Sequence, residues 1–185
     1  MNIREIALYL KIKGEPDEET VALIKEVYPS CAAVPYRCRA VYFPIEKTEK
    51  GFKLTGTDVK LEGRLASRHF DGCEGVYLFC GTLGMESERK QRETFSLSPK
   101  KAVVLDACFS EYLERKLDET ENSLSSDGRT LTSRISCGYG DLDIAVQKEL
   151  YDLLEARKAG IYMNESFMLT PNKSVIAIAG VRSKN

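Results

Sequence analysis

Arg134-Ile135-Ser136-Cys137-Gly138-Tyr139-Gly140-Asp141 is the stretch from which the rest of the chain is read. An alternating run from Thr130 precedes it and predicts a strand; a strongly periodic segment follows and predicts a helix. The octapeptide is therefore a glycine-broken corner between two regular elements, where backbone amides are free and ligands often bind. Gly138 and Gly140 can take the positive φ that bulkier residues avoid. Tyr139, between them, has a ring and a hydroxyl to present, and Arg134 offers a planar fork of donors suited to a carboxylate. The competing reading is a plain strand-to-helix turn, with the tyrosine packed on the core and the arginine solvated.

Composition narrows the classes. The chain has 185 residues with 27 basic and 28 acidic side chains, a net charge of -1, spread without a basic stripe or acidic tail. That excludes an electrostatic nucleic acid partner and predicts no disordered acidic segment. Charges at Arg4, Glu5, Lys11 and Lys13 interrupt the N-terminal stretch. It reads neither as a signal peptide nor as a membrane anchor, so a cytoplasmic protein without a membrane partner is expected. Six cysteines (Cys31, Cys38, Cys73, Cys80, Cys108, Cys137) contain no C-x-x-C pair, and His69 is the single histidine. These spacings suit neither zinc nor a disulfide framework, so no metal site and mostly buried thiols are expected. Cys137 stands apart because it lies in the central corner, and a lone histidine such as His69 reads as structural.

Along the chain, residues 3–10 fit either a short helix capped by Asn2 or an alternating strand. Asp17 caps a helix with Glu18 and Glu19 in its first turn. From Val34 to Ile45 the residues alternate, with Tyr36, Cys38, Ala40 and Tyr42 on one side and Arg37, Arg39, Val41 and Phe43 on the other. A polar turn then predicts a hairpin with Phe52 to Leu54. Gly56 to Gly63 reads as a connector and Leu65 to Phe70 as a short helix ending at Asp71-Gly72. Val76 to Cys80 is a nearly continuous apolar run, hence a central strand. It ends in a second glycine corner, Gly81 to Gly84, and Glu86 to Arg92 is charged and helical. Ser98-Pro99 opens the longest helix, about 99–121, with a broad apolar face; its far end, Glu114 to Glu121, reads as a solvated charge run. A polar loop with Asp127-Gly128 follows. After the corner, Asp143 caps a helix that ends near Lys158-Ala159-Gly160. Ile161 to Met163 and Ser174 to Val181 read as strands. The expected fold class is α+β, one domain over 1–185. Residues 74–81, 130–134 and 174–181 should share a twisted, mostly antiparallel sheet on which helix 99–121 packs.

The corner, the helix after it and the segment Asn164-Glu165-Ser166-Phe167-Met168-Leu169-Thr170-Pro171-Asn172-Lys173, continuing to Gly180, resemble the activation (reactivation) domain of cobalamin-dependent methionine synthase, in its stand-alone form. The likeness is specific from Leu131 to Gly180 and looser over the Cys80-to-Gly84 corner and the two helices after it. It implies an α+β domain around a twisted antiparallel sheet that binds S-adenosylmethionine and docks on a cobalamin-dependent methionine synthase or related corrinoid protein. Cobalamin would sit on the partner, and an electron donor such as flavodoxin or ferredoxin would serve the reductive remethylation of cob(II)alamin. The resemblance places the S-adenosylmethionine site at Arg134, Ser136, Cys137, Gly138 and Tyr139, with Glu165 from the later segment. It assigns no catalytic side chain and no metal ligand, and makes the chain a component of a methyltransferase rather than an independent enzyme. Two departures stand out: Gly140 replaces the proline after the motif tyrosine, and Ala107 stands where an upstream acid is sought. The alternative is a corrinoid-protein docking module that does not use S-adenosylmethionine. A thiol enzyme built on Cys137 would need a lowered pKa, with only Arg134 near in sequence.

Overall fold

The structure is a computed structural model that describes residues 1–124 and 129–183. The chain is α+β. Six strands form one antiparallel sheet in the order β3-β2-β1-β4-β8-β5. They are β1 (Arg37–Thr48), β2 (Gly51–Leu54), β3 (Lys60–Glu62), β4 (Gly75–Thr82), β5 (Arg129–Leu131) and β8 (Ser174–Ser183). Strands β6 (Tyr162–Met163) and β7 (Leu169–Thr170) make a separate hairpin. The helices are α1 (Ile3–Tyr9), α2 (Glu18–Val27), α3 (Pro29–Ala32), α4 (Arg64–His69), α5 (Gly84–Leu97), α6 (Pro99–Leu124) and α7 (Val146–Leu153).

The period of two in the strands divides the apolar residues between the sheet's two faces. Val76, Leu78 and Cys80 of β4 and Ile176 and Ile178 of β8 face one way, against Phe70, Leu150, Leu154 and Ile161. Tyr36, just ahead of β1, Cys38 of β1 and Val175 of β8 face the other, against Leu105, Cys108, Tyr112 and Leu117 of α6. Gly81 lets α6 come close: a Leu117 methyl stands 3.0 Å from where a β-carbon at 81 would be. Helices α1, α2 and α5 pack on the outer side of α6. No helix among the described residues is long and apolar enough to cross a membrane.

Several expectations shift. Residues 3–10 resolve as helix, because the Asn2 side chain accepts from Glu5 N at 3.2 Å and Ile6 is buried against α6. The supposed connector 56–63 contains β3, whose single inward residue, Leu61, is too little pattern to detect. The strand expected over 130–134 pairs regularly only over Arg129–Leu131 and again at Ile135. Asp143 accepts from Ala145 N at 2.9 Å, closing a turn just ahead of α7 rather than capping the helix itself. The Asp127-Gly128 turn lies outside the described residues.

Candidate functional site

The corner is aimed by a β-bulge. Leu131 pairs with Val181 and Ile135 with Ile178, so four steps on one chain oppose three on the other. Thr132 marks the irregularity: its N–H reaches Gly180 O at 2.9 Å and its hydroxyl accepts from Gly180 N at 2.8 Å. His69 clamps the same spot, with Nε2 2.7 Å from Ser133 O and 3.0 Å from Thr132 Oγ1. The lone histidine is thus structural. Beyond the bulge Ile135 turns into the apolar face under β8, and Arg134 turns the opposite way, toward α6.

Arg134 is not solvated; its side chain is 13% exposed. Nη2 lies 3.0 Å from Glu114 and 2.6 Å from Asp118, and Nη1 is bonded to Glu121. The three acids are spaced i, i+4, i+7 on α6, which is one helix face. Burial disfavours the Arg134 charge, but the hydrogen bonds to Asp118 and Glu114 outweigh it and raise its pKa. Burial also pushes the Glu121 carboxyl up, against the pull of Arg134. The run 114–121 is therefore only partly a solvated face. Its i,i+4 pair Arg115–Glu119 points outward while the acids of the other stripe meet the corner.

The turn itself is backbone-built. Gly138 N donates to Leu142 O at 2.8 Å, Tyr139 N to Ser136 O and Leu142 N to Tyr139 O, both at 3.2 Å. Ser136 Oγ donates to Ile176 O at 2.8 Å, tying the corner to β8. Gly138 (φ +82) and Gly140 (φ +61) are left-handed as expected, and β-carbons there would press on Ile144 at 3.1 Å and Leu65 at 3.2 Å. Between them Tyr139 is 67% exposed, with Ile144 also open to solvent. Cys137 points into the core, and burial pushes its thiol up to about 12. A protonated, enclosed thiol does not suit a nucleophile. Native protein near pH 8 is expected to resist iodoacetamide at Cys137 and to react within the same time in urea, as followed by peptide mass spectrometry.

Asp141 closes the corner on α4. Its carboxylate accepts from Arg64 N at 2.8 Å and Leu65 N at 2.9 Å, supplying the N-terminal cap that Gly63 lacks. A β-carbon on Gly63 (φ +118) would stand 2.9 Å from Asp141 O, so the approach requires glycine. Those two backbone bonds hold the Asp141 carboxyl below its usual range. Its contribution to stability is then present above the unfolded pKa, roughly 3.9, and is lost as pH falls through the lower folded value. Asp141→Asn should therefore be less stable than wild type at neutral pH, with the two urea midpoints converging in strong acid. Beside this clamp lies an open cleft of about 810 Å³ lined by Lys50, Lys60, Glu62, Arg64, Asp141 and Glu149, among others.

Glu165 sits elsewhere, on the exposed tip between β6 and β7. Asn164 Oδ1 accepts from Ser166 N (3.0 Å) and Met168 N (2.9 Å), and Gln147 of α7 donates to Phe167 O at 2.5 Å. The tip is thus tied to α7, the helix that the corner leads into. Among the described residues, Glu165 makes no ion pair with the corner. Of the residues expected at the site, Arg134 lies on the α6 side of the sheet, Cys137 in the core of the opposite side and Tyr139 in solvent, so they share a chain segment rather than one cluster of side chains, and Glu165 stays apart. The three α6 acids were missed; their i, i+4, i+7 spacing was the one available signal.

No protein-family model matches this chain, and no curated protein matches it. Among solved structures it is similar to the MetH reactivation domain bound to AdoHcy, with a TM-score of 0.72 and 13% identity. The match covers 96% of this chain and 74% of that one. At that identity the likeness is one of fold.

Proposed function

We propose that this chain, taken over 1–185 as one activation-type domain, binds S-adenosylmethionine at the Arg134–Asp141 corner. It then docks on a cobalamin-dependent methionine synthase or related corrinoid protein and supports remethylation of cob(II)alamin. The observation that carries this reading is the corner: a mostly buried guanidinium among carboxylates, then an exposed tyrosine on a glycine-braced turn. It lies in a fold matching that of a domain solved with AdoHcy.

The chemistry is consistent residue by residue. An amino-acid terminus carries a carboxylate for Arg134 and an ammonium for the α6 acids, both as charge-assisted hydrogen bonds. Tyr139 offers an aromatic surface with a polar tip at the protein's edge. The sulfonium methyl, the partner's cobalt and an external electron donor such as flavodoxin or ferredoxin supply the reaction. This chain's residues bind and orient. Calorimetry with S-adenosylmethionine tests the site: binding is expected, and Arg134→Ala should weaken it by about 1.5–3 kcal/mol, the range for a hydrogen bond to a charged group.

One observation favours a second reading, a docking module without the ligand. Three carboxylates already occupy the Nη1 and Nη2 nitrogens of Arg134, so a ligand carboxylate must compete with them. No heat at millimolar S-adenosylmethionine, with or without the corrinoid partner, would select that reading.

A further inference from the structure

Strand β3 ends the sheet, so among the described residues no strand pairs with its outer edge. An open cleft of about 810 Å³ runs along that edge, lined there by Asp58, Lys60, Glu62 and Arg64. Alternate residues carry the bonds across the β2–β3 hairpin: Leu54 N donates to Val59 O and Gly63 N to Lys50 O, both at 3.0 Å. Lys60 and Glu62 therefore turn their own N–H and C=O groups to the open side. Leu61, between them, is fully buried. Such an edge invites pairing with another chain, and charged side chains normally discourage it.

Here the charges do not discourage a second copy. With two chains laid antiparallel about a two-fold axis at Leu61, Lys60 of each stands opposite Glu62 of the other. Three residues out from Leu61, Asp58 and Arg64 are also of opposite sign. Both are almost wholly exposed and loosely held, by Lys53 at 3.5 Å and by Asp141 at 3.6 Å. Among the described residues, neither Lys60 nor Glu62 makes an ion pair. Lys60 instead faces Lys53 across the hairpin, a like-charge pair that an incoming carboxylate relieves. The same axis keeps the faces in step, with Leu61 of both copies on the apolar side.

We propose that this chain pairs with a second copy of itself through β3, joining the two sheets edge to edge. The pairing is independent of the reading of the corner. The ladder is short, and Asp143 and Glu149 add further acid to the cleft, so the dimer is weak and forms as concentration rises.

Sedimentation equilibrium on the full chain, from micromolar to millimolar concentration, tests this. Wild type should pass from monomer to dimer, and the Lys60 and Glu62 amides should exchange hydrogen more slowly as it does. Lys60→Glu and Glu62→Lys should each weaken the dimer by about tenfold, because each turns two opposite-charge pairs into like-charge pairs. The double reversal should restore it, with melting curves run alongside. A chain that stays monomeric at millimolar concentration overturns the proposal. So does a dimer that both single reversals leave intact, or one that the folded double reversal fails to regain. Should a variant not fold, hydrogen exchange of wild type decides: amides at 60 and 62 that ignore concentration overturn the pairing.

Discussion

Tyr139→Ala is expected to melt close to wild type and to lose the ability to support remethylation of cob(II)alamin by the corrinoid partner. The side chain is mostly exposed, and the turn that carries it is held by backbone bonds that alanine keeps. Exposed substitutions of this kind stay within about 0.5 kcal/mol, about 2 °C for a chain of this length. At an interface the same ring is worth far more: truncating an aromatic anchor costs about 2 kcal/mol or more, roughly 30-fold in affinity. Thermal melting and a reactivation assay with the partner separate the two effects. An unfolded mutant would mean that the tyrosine serves the core. A folded mutant that reactivates at the wild-type rate would remove Tyr139 from the interface.

Phe70→Ala is expected to do the reverse, lowering stability by about 3–5 kcal/mol. Phe70 is fully buried, meets Phe52 edge-on at 6.2 Å and presses to 3.2 Å from where a β-carbon on Gly180 would be. The cavity would open directly beneath the Thr132–Gly180 irregularity and next to the His69 clamp. The melting temperature should fall by roughly 6–20 °C. Ligand binding by the fraction still folded should weaken too, since the corner loses its floor. A loss below about 1 kcal/mol would show that the site collapses around the missing ring.

Much of the fold was legible because side-chain period is local. The alternation at 36–43 and the apolar runs at 76–80 and 174–181 fix which residues face inward whatever the neighbours do. Residues 3–10 were undecidable because their helix depends on packing against α6, a partner a hundred residues on. The corner's glycines and exposed tyrosine were legible from their types. The surroundings of Arg134 were not. Its acids lie 20, 16 and 13 residues upstream on another element, and the bulge that points it at them depends on pairing with β8. Glu114, Asp118 and Glu121 also share α6 with Arg115, Lys116 and Glu119, which satisfy the solvated reading on their own.

The two-against-one pairing after Leu131 makes the corner sensitive to length in an uneven way. If residues 132–135 continued in β5's register, Arg134 would stand opposite Ile178 and its cation would enter the apolar face, while Ile135 would turn toward α6. One absorbed residue prevents this. Shortening the chain at Ser133 would leave both side chains on their present faces, because the ladder would simply become regular. Lengthening it by one residue would also return both side chains to their faces if the ladder became regular, but Ile135 would then stand opposite Ile176 rather than Ile178, carrying the corner two residues, about 7 Å, further along β8. Among natural variants, losses at this position should therefore be tolerated where single additions are not.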